Sequence, residues 1–296
     1  MKHFIAIIRP NQYIKNIFVL LPLFFIGQII NTDQLLNGLI AFIAFSLSAS
    51  AVYIFNDYKD IKDDRKHPKK KHRPLASGLI DKNTALFLMI ILLISGLFLM
   101  AIVSVNSLII LMIYVFLNIL YSLKLKRIAL LDVTIIAIGF VLRLFAGSFA
   151  YEISLEIWIV IMTFLLALFL ALAKRRDDVL ILNKSGNKMR KSMDGYNLKL
   201  IDGSMLIMSA IVIVAYIQYT TSQEIIDKFQ NENLYLTGLF VIFGIMRYLQ
   251  ITFVEKNSGS PTEVIFKDKI MQINLIFWFF SFVWIIYLTP TYLQLN

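Results

Sequence analysis

The stretch from Asn56 to Arg65 reads Asn-Asp-Tyr-Lys-Asp-Ile-Lys-Asp-Asp-Arg and packs four carboxylates and three cations behind a long apolar run. Asp57, Asp60 and Asp64 are spaced by three and four residues. If the preceding helix continues, that spacing puts them on one face, about a turn apart. Asn56 adds a neutral oxygen donor. Hard oxygen donors in this pattern suit Mg2+, which takes one or two carboxylates plus substrate phosphates rather than a full protein cage. Lys59, Lys62, Arg65 and Arg73 are close enough in sequence to hold phosphate oxygens. We read a Mg2+–diphosphate site with Asn56, Asp57, Asp60 and Asp64 as metal ligands. The plainer alternative is a solvated helix end laced with ion pairs. His67 and His72, five apart, make a poor metal pair and are read as solvated.

The elements that must carry this site are membrane helices. Of 296 residues, 58% are hydrophobic, and the mean hydropathy is +0.74. Several apolar runs reach the roughly 20 residues that cross a bilayer, and they do not alternate as barrel strands do. The expected class is all-α and polytopic, a single domain over 1–296. Nine spans are expected: Ile17–Ile30, Leu36–Phe55, Ala85–Val105, Leu108–Tyr121, Ile128–Ala150, Ile157–Ala173, Met205–Tyr219, Leu234–Leu249 and Ile270–Leu288. With the N-terminus in the cytoplasm, cytoplasmic segments carry 27 of the 29 Lys and Arg residues; the others are Arg143 and Lys228. That bias predicts a multi-pass protein of the cytoplasmic membrane with its C-terminus outside. The net charge of +10 is then topological, and no nucleic-acid partner is expected. The chain has no cysteine, which excludes disulfides and thiol chemistry. Residues 1–16 carry Lys2, Arg9, Pro10 and Lys15 and lack a small-residue cleavage site after a short apolar core, so no cleaved signal peptide is expected.

Two cytoplasmic segments, 56–82 and 174–204, are longer than a connection requires and are read as functional. The second opens with Lys174-Arg175-Arg176-Asp177-Asp178, a cation-led cluster suited to a phosphate monoester. It also carries Arg190, Lys191 and Tyr196, read either as a cap over the site or as a contact to anionic headgroups. Arg143 lies within the fifth span, where an arginine faces a cavity or a partner; we expect it near the lipid phosphate or the ribose. Lys124, Lys126 and Arg127 close the fourth span, and Lys126 is the one expected to reach a phosphate.

Asn56-Asp57-x-x-Asp60-x-x-x-Asp64 with Arg73-Pro74-Leu75-x-Ser77-Gly78 resembles the first motif of the UbiA-type intramembrane prenyltransferase superfamily. The superfamily's usual second motif is Asp-x-x-x-Asp, and this chain departs from it at Lys174–Asp178. The departure resembles the polyprenyl-phosphate phosphoribosyltransferase branch. So do Arg9-Pro10-x-Gln12-Tyr13-x-Lys15-Asn16, Ser48-Ala49-Ser50-Ala51-Val52-Tyr53 and Lys66-His67-Pro68. Arg143-x-x-Ala146-Gly147, Arg190-Lys191-Ser192-x-x-x-Tyr196 and Arg247-Tyr248 match the same branch. That branch often has Glu where Asp178 stands.

The resemblance implies a nine-helix bundle with a cytoplasm-facing site. It also implies Mg2+-dependent transfer of 5-phosphoribose from phosphoribosyl diphosphate to a polyprenyl phosphate. Asp57, Asp60 and Asp64 with Asn56 then hold metal and diphosphate, while Arg73 and Lys15 neutralise phosphate oxygens. Lys174, Arg175 and Asp178 take the 5-phosphate, the ribose or the acceptor phosphate. Arg65, Lys126, Arg143, Lys191, Tyr196 and Arg247 complete the substrate-binding set. Alternatives are a prenyltransferase acting on an aromatic acceptor and, further off, a transporter, whose polar groups would lie near the bilayer midplane. A homo-oligomer is compatible with the sequence.

Overall fold

The computed structural model describes residues 2–27, 31–66, 70–185, 191–255 and 261–288. Its helices are α1 (Lys2–Ile8), α2 (Leu21–Phe25), α3 (Thr32–Lys66), α4 (Pro74–Ser77), α5 (Lys82–Val103), α6 (Val105–Leu123) and α7 (Leu131–Ala150). They continue as α8 (Ile157–Ser185), α9 (Leu198–Thr220), α10 (Gln223–Phe229), α11 (Gly238–Phe253), α12 (Pro261–Lys267) and α13 (Lys269–Val283). Among the described residues, eight helices are long and apolar enough to cross a membrane. Large apolar side chains stand on their outer faces, including Phe87, Phe98, Phe116 and Leu239, each at least 60% exposed. Water would penalise such a surface and lipid does not. The protein is an α-helical, multi-pass membrane protein.

Sequence-local signals set the helix ends. Asp81 accepts the Thr84 N–H at 2.9 Å, and Asn197 accepts that of Leu200 at 2.8 Å, each filling a vacant first-turn donor. Ser104 ends α5 in an extended conformation and caps α6 through its hydroxyl, so these two spans turn on a single residue.

The first expected span, Ile17–Ile30, differs. Residues Pro10–Val19 form 3-10 turns and Leu21–Phe25 a separate short helix; residues 28–30 lie outside the described set. Pro22 has no N–H to continue an α-helical ladder from the preceding turn. Both functional stretches differ from the expected loops as well. α3 runs eleven residues past Phe55, and α8 runs twelve past Ala173. Neither extension contains Gly or Pro. At 1.5 Å per residue α3 is about 52 Å long and α8 about 43 Å, both longer than the ~30 Å hydrocarbon core. The aspartates and the Lys174–Asp178 cluster therefore ride on rigid helix.

The chain forms two compact units, Met1–Lys126 with Ile138–Leu155, and Arg127–Ala137 with Glu156–Asn296. In the first, α3 packs chiefly on α5. Gly96 allows this approach, because any Cβ there would collide with Ser48 and the Ala44 carbonyl of α3. Its core gathers Val19, Phe45, Ala49, Tyr114 and Ala146. In the second, α8 packs on α9 and α11 on α13, around Phe169, Leu172, Met193, Tyr196, Met205 and Tyr248.

Candidate functional site

In the first unit, the helical period sorts the end of α3 into two faces. Asp57 and Asp64 are buried and Asp60 half-buried, while Lys59, Lys62 and Asp63 face outward. Lys59 and Lys62, expected on phosphate, stand on the opposite face from the aspartate row.

Each inward carboxylate meets a cation from another element. Arg73, just before α4, donates from one nitrogen, Nη1, to Asp57 at 2.9 Å and to Asp64 at 2.7 Å. Lys126 Nζ lies 2.6 and 2.7 Å from the two oxygens of Asp60 and 3.2 Å from Asn56 Oδ1. Arg9 Nη2 donates to both oxygens of Asp57, at 2.5 and 2.6 Å. In the sequence Arg9 stands out only as part of the Arg9-Pro10 motif, and its place at the aspartate row is a finding of the structure. Its backbone is left-handed (φ 57°, ψ 58°), and Pro10 follows, which pushes residue nine toward extended geometry. A non-glycine held there costs on the order of 1–3 kcal/mol and persists only where surroundings enforce it. Arg65 donates from Nε to the Ala76 carbonyl at 3.0 Å and so ties the end of α3 to α4. Lys15 is half-buried on the 3-10 segment.

Among the described residues, no three His, Cys, Asp or Glu side chains converge as a ready-made metal cluster. The donor chemistry nevertheless fits a hard cation. Two carboxylates share one cationic nitrogen at Arg73, and a third carboxylate with an amide oxygen shares another at Lys126. Asp57, Asp60 and Asp64 with Asn56 are the hard oxygen donors that such a cation takes, one or two carboxylates at a time.

Arg143 also belongs to this unit, and its partners differ from the phosphate or ribose expected. It is buried and donates to Asn16 Oδ1 (2.8 Å), the Gly139 carbonyl (2.7 Å) and the Tyr114 hydroxyl (3.0 Å). The rings of Phe45, Tyr114 and Phe140 surround its guanidinium at 4.8–5.2 Å. Asn16 in turn donates to Ser46 on α3 at 2.9 Å. The arginine therefore ties the irregular Pro10–Val19 segment to α6 and α7.

In the second unit, the Lys174–Asp178 cluster lies on α8. Arg175 is buried; its Nε donates to Asp132 at 2.7 Å and its Nη1 to Asp178 at 2.8 Å. Lys174 is exposed on the same helix. Asp132, at the start of α7, is fully buried and also accepts from Tyr196 (2.6 Å) and Ser192 (3.2 Å). Burial, and then the bond it donates to Asp132, push the Tyr196 hydroxyl well above its ordinary ionisation range, so it stays a donor. Tyr196 also accepts the Leu130 N–H at 2.8 Å. The partners of Asp132 thus come from α8 and the segment after it. Arg190 and the side chain of Lys191 lie outside the described residues. Arg247 has carboxylate partners: it bonds Asp268 at 2.6 Å and Glu255 at 2.8 Å, and it holds the Asp268 carboxyl below the usual range. It fastens α11 to the start of α13.

These features define a polytopic helical membrane protein with a cation-countered row of aspartates on a helix extension. The profile of the UbiA prenyltransferase family matches residues 17–276, and the chain belongs to that family. It is a transferase. Decaprenyl-phosphate phosphoribosyltransferase of Mycolicibacterium smegmatis is 29% identical over 284 residues, covering 93% of this chain and 89% of the relative. The protein of the same name from Corynebacterium glutamicum is 29% identical over 294 residues, covering 97% and 88%. A UbiA homologue from Archaeoglobus fulgidus, solved bound to DMAPP and Mg2+, shares the fold with a TM-score of 0.71 at 19% identity, over 95% of this chain and 98% of that one.

Proposed function

We propose that the protein transfers 5-phosphoribose from phosphoribosyl diphosphate to a polyprenyl phosphate at the cytoplasmic side of the membrane, releasing diphosphate. The observation that carries this reading is at Lys174–Asp178. The acidic residue there is ion-paired with Arg175, in a cation-led cluster that suits a phosphate monoester better than a second metal–diphosphate. The two phosphoribosyltransferase relatives, aligned over more than nine-tenths of the chain, support it.

In this reading Asp57, Asp60 and Asp64, with Asn56, hold a divalent ion, and Arg73 and Lys15 take diphosphate oxygens. A bound Mg2+ supplies Lewis-acid stabilisation of the departing diphosphate. The bond from ribose C1 to the diphosphate oxygen breaks, with its electron pair leaving on diphosphate. The acceptor phosphate oxygen forms the new bond to C1. A phosphate monoester dianion is already a nucleophile, so no general base is required. Lys174, exposed on α8, holds the sugar or acceptor phosphate, while Arg175, buried between Asp132 and Asp178, fixes the cluster on that helix. Arg65 sets the turn that presents Arg73.

A second reading, prenyl transfer from a prenyl diphosphate, draws on the same aspartates and on the fold shared with the DMAPP-bound homologue. The test is purified protein in lipid nanodiscs with Mg2+ and a polyprenyl phosphate, given phosphoribosyl diphosphate in one arm. The other arm receives a prenyl diphosphate with an aromatic acceptor. Diphosphate release and a phosphoribosylated lipid in the first arm alone are expected, and both are lost on chelation. Turnover confined to the second arm overturns the proposal.

A further inference from the structure

The inward face of the α3 extension is electrostatically closed on itself. Asp57, Asp60 and Asp64 carry three negative charges, and Arg9, Arg73 and Lys126 carry three positive ones within hydrogen-bonding distance. The cations come from three separate elements: the turn before Pro10, the turn before α4 and the 3-10 turn after α6. None of the three is deeply buried; Arg9 and Arg73 are 23% and 25% exposed against 2–4% for Asp57 and Asp64, and at the third pair Lys126 and Asp60 are 16% and 23% exposed. The carboxylates are fixed on one continuous helix, whereas the cations stand on long side chains from short turns and are the groups with room to move. Arg9 is also poised over the Tyr53 ring, 5.4 Å from its centroid and one turn before Asp57.

A divalent ion arriving alone meets a neutral cluster. To reach carboxylate oxygens it must displace cations that stay nearby, with no anion to receive them. A metal–diphosphate brings that anion. Each displaced guanidinium or ammonium then finds phosphate oxygen, which suits a charged donor as well as carboxylate does. The number of paired charges is conserved only when metal and diphosphate come together.

We propose that Arg9, Arg73 and Lys126 are exchangeable counter-cations of the aspartate row, leaving carboxylate for phosphate oxygen as a metal–diphosphate enters, so that metal and diphosphate bind as one unit and Arg9 is a diphosphate-binding residue. This rests on the diphosphate site argued above, and it holds equally for a phosphoribosyl or a prenyl diphosphate.

The test measures Mn2+ bound to the full-length protein in detergent by electron paramagnetic resonance, with and without inorganic diphosphate. Diphosphate is expected to tighten Mn2+ binding by about tenfold or more, and Mn2+ to tighten diphosphate binding by the same factor, since coupling is reciprocal. Arg9→Gln and Lys126→Gln each unmask a carboxylate. Both are expected to tighten binding of Mn2+ alone several-fold while shrinking the effect of diphosphate. A structural role for either cation would weaken metal binding in both conditions. Mn2+ affinity in the unaltered protein that ignores diphosphate, or folded variants that bind Mn2+ alone more weakly, overturns the proposal. If neither variant folds, the unaltered protein's response to diphosphate decides by itself. Strong coupling without phosphoribose transfer overturns the substrate reading and leaves the exchange standing; transfer with no coupling overturns the exchange alone.

Discussion

At the scale of single residues, the ion pairs of the two units call for opposite treatment. Asp60 is 23% exposed and belongs to the row proposed above to exchange its cations. Asp60→Ala should lower transfer on the order of 100-fold or more, because leaving-group stabilisation by a held metal is worth several kcal/mol, with thermal stability little changed. Full activity in a folded Asp60→Ala protein would remove the carboxylate row from the mechanism. Asp132 and Arg175, at 0% and 1% exposure, form a pair meant to stay. Removing one partner strands a buried charge, so Asp132→Ala should cost about 3–5 kcal/mol in a melting experiment. The double variant Asp132→Leu with Arg175→Met leaves no unpaired charge in the fully buried pair, only the Tyr196 and Ser192 hydroxyls without their acceptor and the partly exposed Asp178 without its arginine, and should cost less. Equal losses would mean that the pair stabilises by its contacts rather than by mutual charge compensation. The aspartate face was legible because three-and-four spacing has one meaning on a helix. Its counter-charges were not, since Arg9 is 48 residues from Asp57 and Lys126 is 66 from Asp60. Spacing along a chain carries no information about partners brought together by tertiary folding.

At the scale of elements, hydrophobic length is legible in the sequence and irregular backbone is not. Eight expected spans correspond to helices, because continuous apolar runs leave a bilayer-embedded chain few other solutions. The segment Pro10–Phe25 is as apolar at its end as a span, yet it is broken, and the residues that make this tolerable lie far off. The Val19 carbonyl accepts from Tyr151 at 3.0 Å, and Asn16 is held by Arg143 and Ser46. Irregular backbone in an apolar segment survives when protein supplies its hydrogen bonds. Gly147 is part of the same arrangement, since any Cβ there would strike the Val19 carbonyl, whereas a Cβ at Gly139 has its nearest atom at 3.5 Å. Gly147→Ala should therefore destabilise by about 1–3 kcal/mol through overpacking. Gly139→Ala should be neutral or stabilise by up to ~1 kcal/mol through helix propensity. Melting temperatures of the two variants check this, and a harmless Gly147→Ala would mean that the broken segment is not clamped by α7.

At the scale of the whole molecule, the remaining question is which side of the membrane the aspartates face. Of 29 Lys and Arg residues, 27 fall in segments assigned to one side, and short cationic segments stay cytoplasmic during insertion. That assignment puts the α3 and α8 extensions in the cytosol, where phosphoribosyl diphosphate, a charged and membrane-impermeant substrate, is expected. The opposite assignment would place the diphosphate clamp outside and leave the proposed reaction without its donor, so orientation and function stand together. The chain has no cysteine, so single introduced thiols report without background. Lys62 and Lys228 are both exposed, one on the α3 extension and one on α10. A Lys62→Cys variant in intact cells should resist a membrane-impermeant maleimide and react once the cells are opened. A Lys228→Cys variant should react in intact cells. Reversed labelling would invert the topology and exclude a cytosolic donor at the aspartate row. Labelling of both positions from one side would mean an even number of crossings between them, against the five helices, α5 to α9, that separate them.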